Sequence, residues 1–220
     1  QYAQAYKKLQ SILRENKDNL YAMNTLALMY YQTERMDLAE LTLEKAKKIN
    51  SKHAETYNNL GIVYLKKDFY QSAIDHFKDS IRRNKTLLEP RLNLAQIYMD
   101  HNNFSMAITH YREILNIEPL HIPARLNLGY SQLNSNHVEE AEESFLNILK
   151  IEPFHARATL NLASLYHYQL KDREKALSYY EKYLSLQTSS RDSKKEIEKE
   201  IEKAKGLPPK SPAQRQNVVQ

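Results

Sequence analysis

The side chains whose types and spacing could do chemistry in this chain are amides. Asn59, Asn93, Asn127 and Asn161 recur every 34 residues, each one place before a leucine. A carboxamide carries one acceptor and two donors, so it can bond both the C=O and the N–H of an extended peptide. A row of them would hold a backbone largely independently of its sequence. Leu92 and Leu126, with Leu160, sit one residue earlier, and Gln96 and Tyr130, with Ser164, three residues later. Leu65, Met99, Leu133 and His167 continue the same helical face. That face is apolar and neutral-polar, which suits an extended segment with hydrophobic side chains or an amphipathic helix.

Other chemistries find no support. His53, His121 and His155 end successive repeats. Neighbouring repeats stack about 10 Å apart, too far to share a metal whose ligand bonds are about 2 Å, so these histidines read as solvated junction residues. There is no glycine-rich phosphate loop, no nucleophile elbow and no carboxylate cluster off the solvated helix faces. Cysteine is absent, which excludes disulfides and thiol catalysis and leaves the compartment open, cytoplasm or a bacterial periplasm or envelope. The expectation is a soluble, non-enzymatic chain with no metal and no cofactor. No apolar run reaches the roughly 18 residues that span a membrane. The formal charge is +5, but acids and bases alternate along the chain, so no nucleic-acid partner is expected.

The elements that must position the amides follow from a second series. Ala39, Ala73, Ala107 and Ala141 also recur every 34 residues. Twelve places before each stands Ala27, Gly61, Ala95 or Gly129, and four places after each Leu43, Phe77, Tyr111 or Phe145. Two small residues per period mark the point where paired helices approach most closely. The fold expected is all-α, a solenoid of antiparallel helix pairs. Residues 1–19 read as the second helix of a repeat whose first helix is missing. Repeats follow at 20–53, 54–87, 88–121, 122–155 and 156–190, the last with one inserted residue near Lys171, since Ala163 and Ala176 are thirteen apart. Residues 191–205 read as a charged capping helix with a stripe of Ile197, Ile201 and Ala204. Residues 206–220 read as an extended, proline-rich tail able to support self-association.

These repeats resemble the tetratricopeptide repeat, through Tyr57, Leu60, Gly61, Tyr64, Tyr70, Ala73 and Phe77 in one repeat and Leu94, Ala95, Tyr98, Phe104, Ala107, Tyr111 and Pro119 in the next. The resemblance covers residues 1–190. It implies a right-handed superhelix whose first helices line a concave groove for a protein or peptide ligand. Departures are Arg91, Arg125 and Thr159 in place of a large aromatic and Gln132 in place of a tyrosine, expected to loosen local packing. The carboxylate clamp of chaperone-binding members is not expected, because Asn24, Leu28, Glu89 and Asn93 occupy its places and only Asn59 agrees. A pentatricopeptide reading, which would imply RNA, lacks the glycine-proline turn. Two alternatives to a scaffold stay open: the repeat region of a larger enzyme such as a glycosyltransferase, and a self-assembling cell-envelope scaffold.

Overall fold

The computed structural model describes residues 2–186 and 191–206. Among the described residues there are twelve α-helices and no strand. The chain divides into two compact units, residues 1–103 and 104–220. The first holds α1 (Tyr2–Glu15), α2 (Leu20–Gln32), α3 (Met36–Ile49), α4 (Ala54–Lys66), α5 (Tyr70–Arg83) and α6 (Glu89–Asp100). The second holds α7 (Phe104–Ile117), α8 (Ile122–Asn134), α9 (Val138–Ile151), α10 (Ala156–Tyr168), α11 (Arg173–Ser185) and α12 (Arg191–Lys205). The tail expected beyond Gly206 lies outside the described residues.

Each helix pair closes on its small residues. Ala39, Ala73, Ala141 and Ala176 are fully buried on α3, α5, α9 and α11. On the facing helix the side chain is matched to the ring it meets. A Cβ placed on Gly61 would stand 2.5 Å from Phe77, and one on Gly129 would stand 2.6 Å from Phe145. Where the partner is the smaller Leu43, the facing residue is Ala27, and both are buried.

The turn inside each pair is a recurrent left-handed stop. Glu34, Asp68, Asn102 and Asn136 all have φ between 56° and 61°. The following N–H reaches five residues back, as in Arg35 N to Tyr30 O at 2.8 Å and His137 N to Gln132 O at 2.8 Å. This is the Schellman pattern that satisfies the last helical carbonyls. In the last pair the left-handed residue is Lys171, and the bond from Asp172 N to Tyr166 O reaches six residues back. The inserted residue is absorbed there without lengthening either helix.

First helices start on side-chain caps at the same period. Asn19 accepts from Ala22 N at 2.9 Å, and His121 and His155 accept through Nδ1 from Ala124 N at 3.0 Å and Ala158 N at 3.1 Å. His53 bonds Thr56 Oγ1 instead, at 2.9 Å. His121 and His155 are therefore built into the helix starts, each supplying a partner for an amide group the helix cannot satisfy itself.

The departures from the repeat pattern carry bonds of their own. Tyr57 donates to Ser51 O at 3.1 Å, and Arg125, in the equivalent place, donates to Pro119 O at 2.6 Å, also six residues back. Thr159 donates to His155 O at 3.0 Å. Tyr64 and Tyr166 each reach a glutamate 24 residues earlier, Glu40 and Glu142, on the preceding second helix. Burial and that carboxylate push the Tyr64 phenol up to about 12. Gln132, in the tyrosine's place, turns to its own partner helix and bonds Glu140 at 3.0 Å and Ser144 at 2.7 Å.

In the second unit α12 lays Ile197, Ile201 and Ala204 on a cluster that includes Leu165, Tyr166 and Tyr180. Charged pairs flank that stripe, Glu200–Lys203 and Glu202–Lys205, each at 2.6 Å.

The Gly61–Phe77 contact yields a test. Gly61→Ala is expected to cost roughly 1–3 kcal/mol by overpacking, measured by denaturant unfolding. Adding Phe77→Leu, which recreates the Ala27–Leu43 pairing, should return part of that loss. A Gly61→Ala chain as stable as the parent would remove the close-approach assignment.

Candidate functional site

The predicted amides behave differently in the two compact units. In the first, Asn59 Nδ2 donates to Asn24 Oδ1 at 2.9 Å and Asn93 Nδ2 to Asn58 Oδ1 at 3.1 Å. Asn24 in turn donates to Leu20 O at 2.9 Å and to Thr56 Oγ1 at 3.0 Å. Asn24, Asn58 and Asn59 are all buried. The result is an amide chain that ties α2 to α4 and α4 to α6. Reasoning from sequence put Asn59 and Asn93 in the row but missed Asn24 and Asn58 as their acceptors. The signal was the Asn58–Asn59 doublet: partners lie 35 residues apart, one place earlier in the preceding repeat, so a search at 34 overlooks them.

The remaining predicted positions of this unit surround that chain. Leu92 and Met99 are half-buried, Gln96 is exposed and bonds Asp100 at 2.7 Å, and Leu65 packs beside the cluster formed by Ala73, Phe77, Leu94 and Ile97. A cleft of about 400 Å³ opens over the amides, with Tyr21 and Leu28 of α2 and Glu55 and Glu89 among its walls.

For the two amides of the second unit the acceptor place is apolar. Leu126, like Leu92 one repeat before it, stands in the series that holds Asn24 and Asn58 in the two repeats before that, so the places 35 residues before Asn127 and Asn161 are both leucine. Asn127 and Asn161 are half-buried, and among the described residues neither carboxamide has a hydrogen-bond partner. Leu126, Leu133 and Leu160 are partly buried against the core, and Tyr130 is 49% exposed beside them. Ser164 is half-buried on the same helix as Asn161. Two open amides thus lie among apolar side chains on α8 and α10.

His167 sits apart from that surface, beneath α12. It is buried, with Nδ1 3.2 Å from Tyr180 Oη and 3.7 Å from Glu200 Oε2, and its ring stacks on Tyr168 at 4.1 Å. Burial lowers its pKa, and this outweighs the opposite pull of Glu200. The Glu200 carboxyl is itself held down, first by the bond from Lys203 and then by the Tyr168 hydroxyl. Among the described residues no three His, Asp or Glu side chains come together as a metal site would require, and no helix is long and apolar enough to cross a membrane.

Stacked helix pairs presenting an amide and apolar face define a protein-interaction repeat scaffold. The chain belongs to the tetratricopeptide repeat family, whose patterns match residues 1–54 and 126–192, 53–91 and 88–119. Among solved structures it is similar to YrrB, described as a TPR protein with an unusual peptide-binding site. The identity is 22%, over 87% of this chain and 97% of that chain, with a TM-score of 0.70. It is also similar to the C-terminal part of a TPR repeat-containing protein from Cytophaga hutchinsonii, at 21% identity over 84% of this chain and 74% of that one, with a TM-score of 0.73. MamA is similar at 23% identity over 69% and 89%, with a TM-score of 0.60. No match is found among curated proteins.

The groups under α12 make its docking sensitive to acid. A buried histidine with a lowered pKa stabilises the folded state fully above its unfolded value of about 6.5, and this is lost as pH falls through the folded value. A carboxylate with a lowered pKa has the same sign, its contribution fading below about 4.3. Protonation of His167 and Glu200, which face Tyr168, Tyr180, Lys171 and Lys203, therefore loosens the helix. Amide exchange in residues 194–206 is expected to accelerate progressively below about pH 6.5, with His167→Gln removing the upper part of the response. Exchange independent of pH, after correction for intrinsic rates, would exclude this coupling.

Proposed function

We propose that this scaffold binds an extended peptide along α8 and α10, with Asn127 and Asn161 reading the peptide backbone. The observation that carries the reading is the contrast between the units. The amides of the first unit satisfy one another, whereas those at 127 and 161 keep donors and acceptors for a ligand. First helices of adjacent repeats stand about 10 Å apart, and an extended chain rises about 3.3 Å per residue, so the two amides would engage every third peptide residue. Leu126, Leu160 and Tyr130 supply apolar area for the side chains between. The similarity to YrrB, whose description includes a peptide-binding site, supports the same class of ligand. In this role the chain is a non-enzymatic scaffold.

The test pairs binding with stability. Twelve-residue peptides selected on the full chain from a random library are titrated by calorimetry. Asn127→Ala with Asn161→Ala is expected to weaken binding roughly five- to a hundredfold, from about 0.5–1.5 kcal/mol per neutral hydrogen bond, at nearly unchanged melting temperature. Asn59→Ala should do the reverse, lowering the melting temperature because it orphans the buried Asn24 carbonyl. A double variant that binds as tightly as the parent overturns the reading.

A further inference from the structure

The cleft of the first unit has a chemistry different from the open amides of the second. Tyr21, Glu55 and Glu89 occupy equivalent places in three successive repeats, 34 residues apart, and all three line it. Tyr21 is 80% exposed, an aromatic ring held out at the rim. Among the described residues that line the cleft there is no lysine or arginine. Its one ionisable base is His53, whose Nε2 lies 3.4 Å from Glu55 Oε2. The two carboxylates therefore concentrate negative potential in a chain whose net charge is +5. The floor is fixed by the Asn24–Asn59 and Asn58–Asn93 bonds, while Asn58 Nδ2 has only a 3.5 Å contact with Asn59 Oδ1.

One segment of the chain carries the complementary chemistry. Residues 207–220 contain Lys210 and Arg215 and no aspartate or glutamate. Pro208, Pro209 and Pro212 supply the Pro-x-x-Pro spacing that aromatic-lined grooves recognise. Such segments dock on exposed aromatic rings, with basic side chains reaching flanking carboxylates.

We propose that the cleft between α2, α4 and α6 receives residues 207–220 of a second copy of this chain, with the prolines against Tyr21 and Lys210 and Arg215 paired with Glu55 and Glu89. The tail continues from α12 of the second compact unit, and the cleft belongs wholly to the first. A contact between different surfaces of two copies is heterologous, so it propagates into rings or open chains instead of stopping at a dimer.

Sedimentation of the full chain tests this. The parent is expected to grow in average mass with concentration and to dissociate at high salt, since the pairs are solvent-exposed and screened. Glu55→Gln with Glu89→Gln, and separately Lys210→Gln with Arg215→Gln, should each weaken association roughly two- to thirtyfold, the effect of two exposed ion pairs. An equimolar mixture of the two variants retains one intact cleft and one intact tail, so it should form a one-to-one dimer and nothing larger. Asn127→Ala with Asn161→Ala should leave association unchanged, which separates this site from the peptide surface of the second unit. The proposal is overturned by a parent that stays monomeric, by either charge variant associating like the parent, by a mixture that stays monomeric, or by association lost in the Asn127/Asn161 variant.

Discussion

The approach of two helix backbones at one small residue per repeat is the constraint on which the rest depends. With glycine under Phe77 or Phe145 and alanine opposite Leu43, the gap between paired helices is filled by whichever side chain the other helix supplies. Interiors pack like organic crystals, so a methyl group in the wrong place cannot be absorbed by loosening. Because that distance is held, the left-handed turns, the caps and the amides recur at a fixed offset from it. The proposed binding side chains stand one repeat apart on a surface whose spacing is set by packing elsewhere.

Much of this was legible in the sequence because packing constraints repeat. The buried alanines, their small partners and the inserted residue before Asp172 all follow from counting, and the family follows from the same positions. The bonds were less legible. His121 and His155 look like solvent-facing junction residues in sequence, since nothing in the residue type shows that Nδ1 will accept from a helical N–H. Arg125 looks like a loss of packing, yet its guanidinium finds the carbonyl that the phenol of Tyr57 finds in its own repeat. Polar side chains with several torsions choose partners by local geometry, which a period does not carry.

The asparagines show where the period misleads. All four predicted amides occupy one register, and the reading gave them one role. The role depends instead on the residue one place earlier in the preceding repeat. Where that residue is Asn24 or Asn58, the amide is consumed in a buried chain that joins neighbouring first helices. Where it is Leu126, the amide of Asn161 has no partner among the described residues. His167 is a similar case. It shares a helical face with Asn161 and Ser164, but α12 covers it; the charge pattern of residues 191–205 marks a capping helix without showing which side chains of α10 lie beneath it.

The same exchange of asparagine for leucine fixes what each unit can offer. A carboxamide pair buried between helices gains a hydrogen bond and loses the ability to read a ligand. A leucine in its place keeps the packing through apolar area and leaves the neighbouring amide exposed to water, at little cost while it remains half-buried. Stability and recognition are thus traded at one position per repeat. The first unit takes the rigid solution, and in the proposed self-association its recognition chemistry lies outward at the rim, at Tyr21, Glu55 and Glu89. The second takes the open solution and keeps its amides, with Tyr130 beside them. A solenoid can hold both because each repeat answers mainly to its immediate neighbours, so a local choice for binding does not weaken the helices two repeats away.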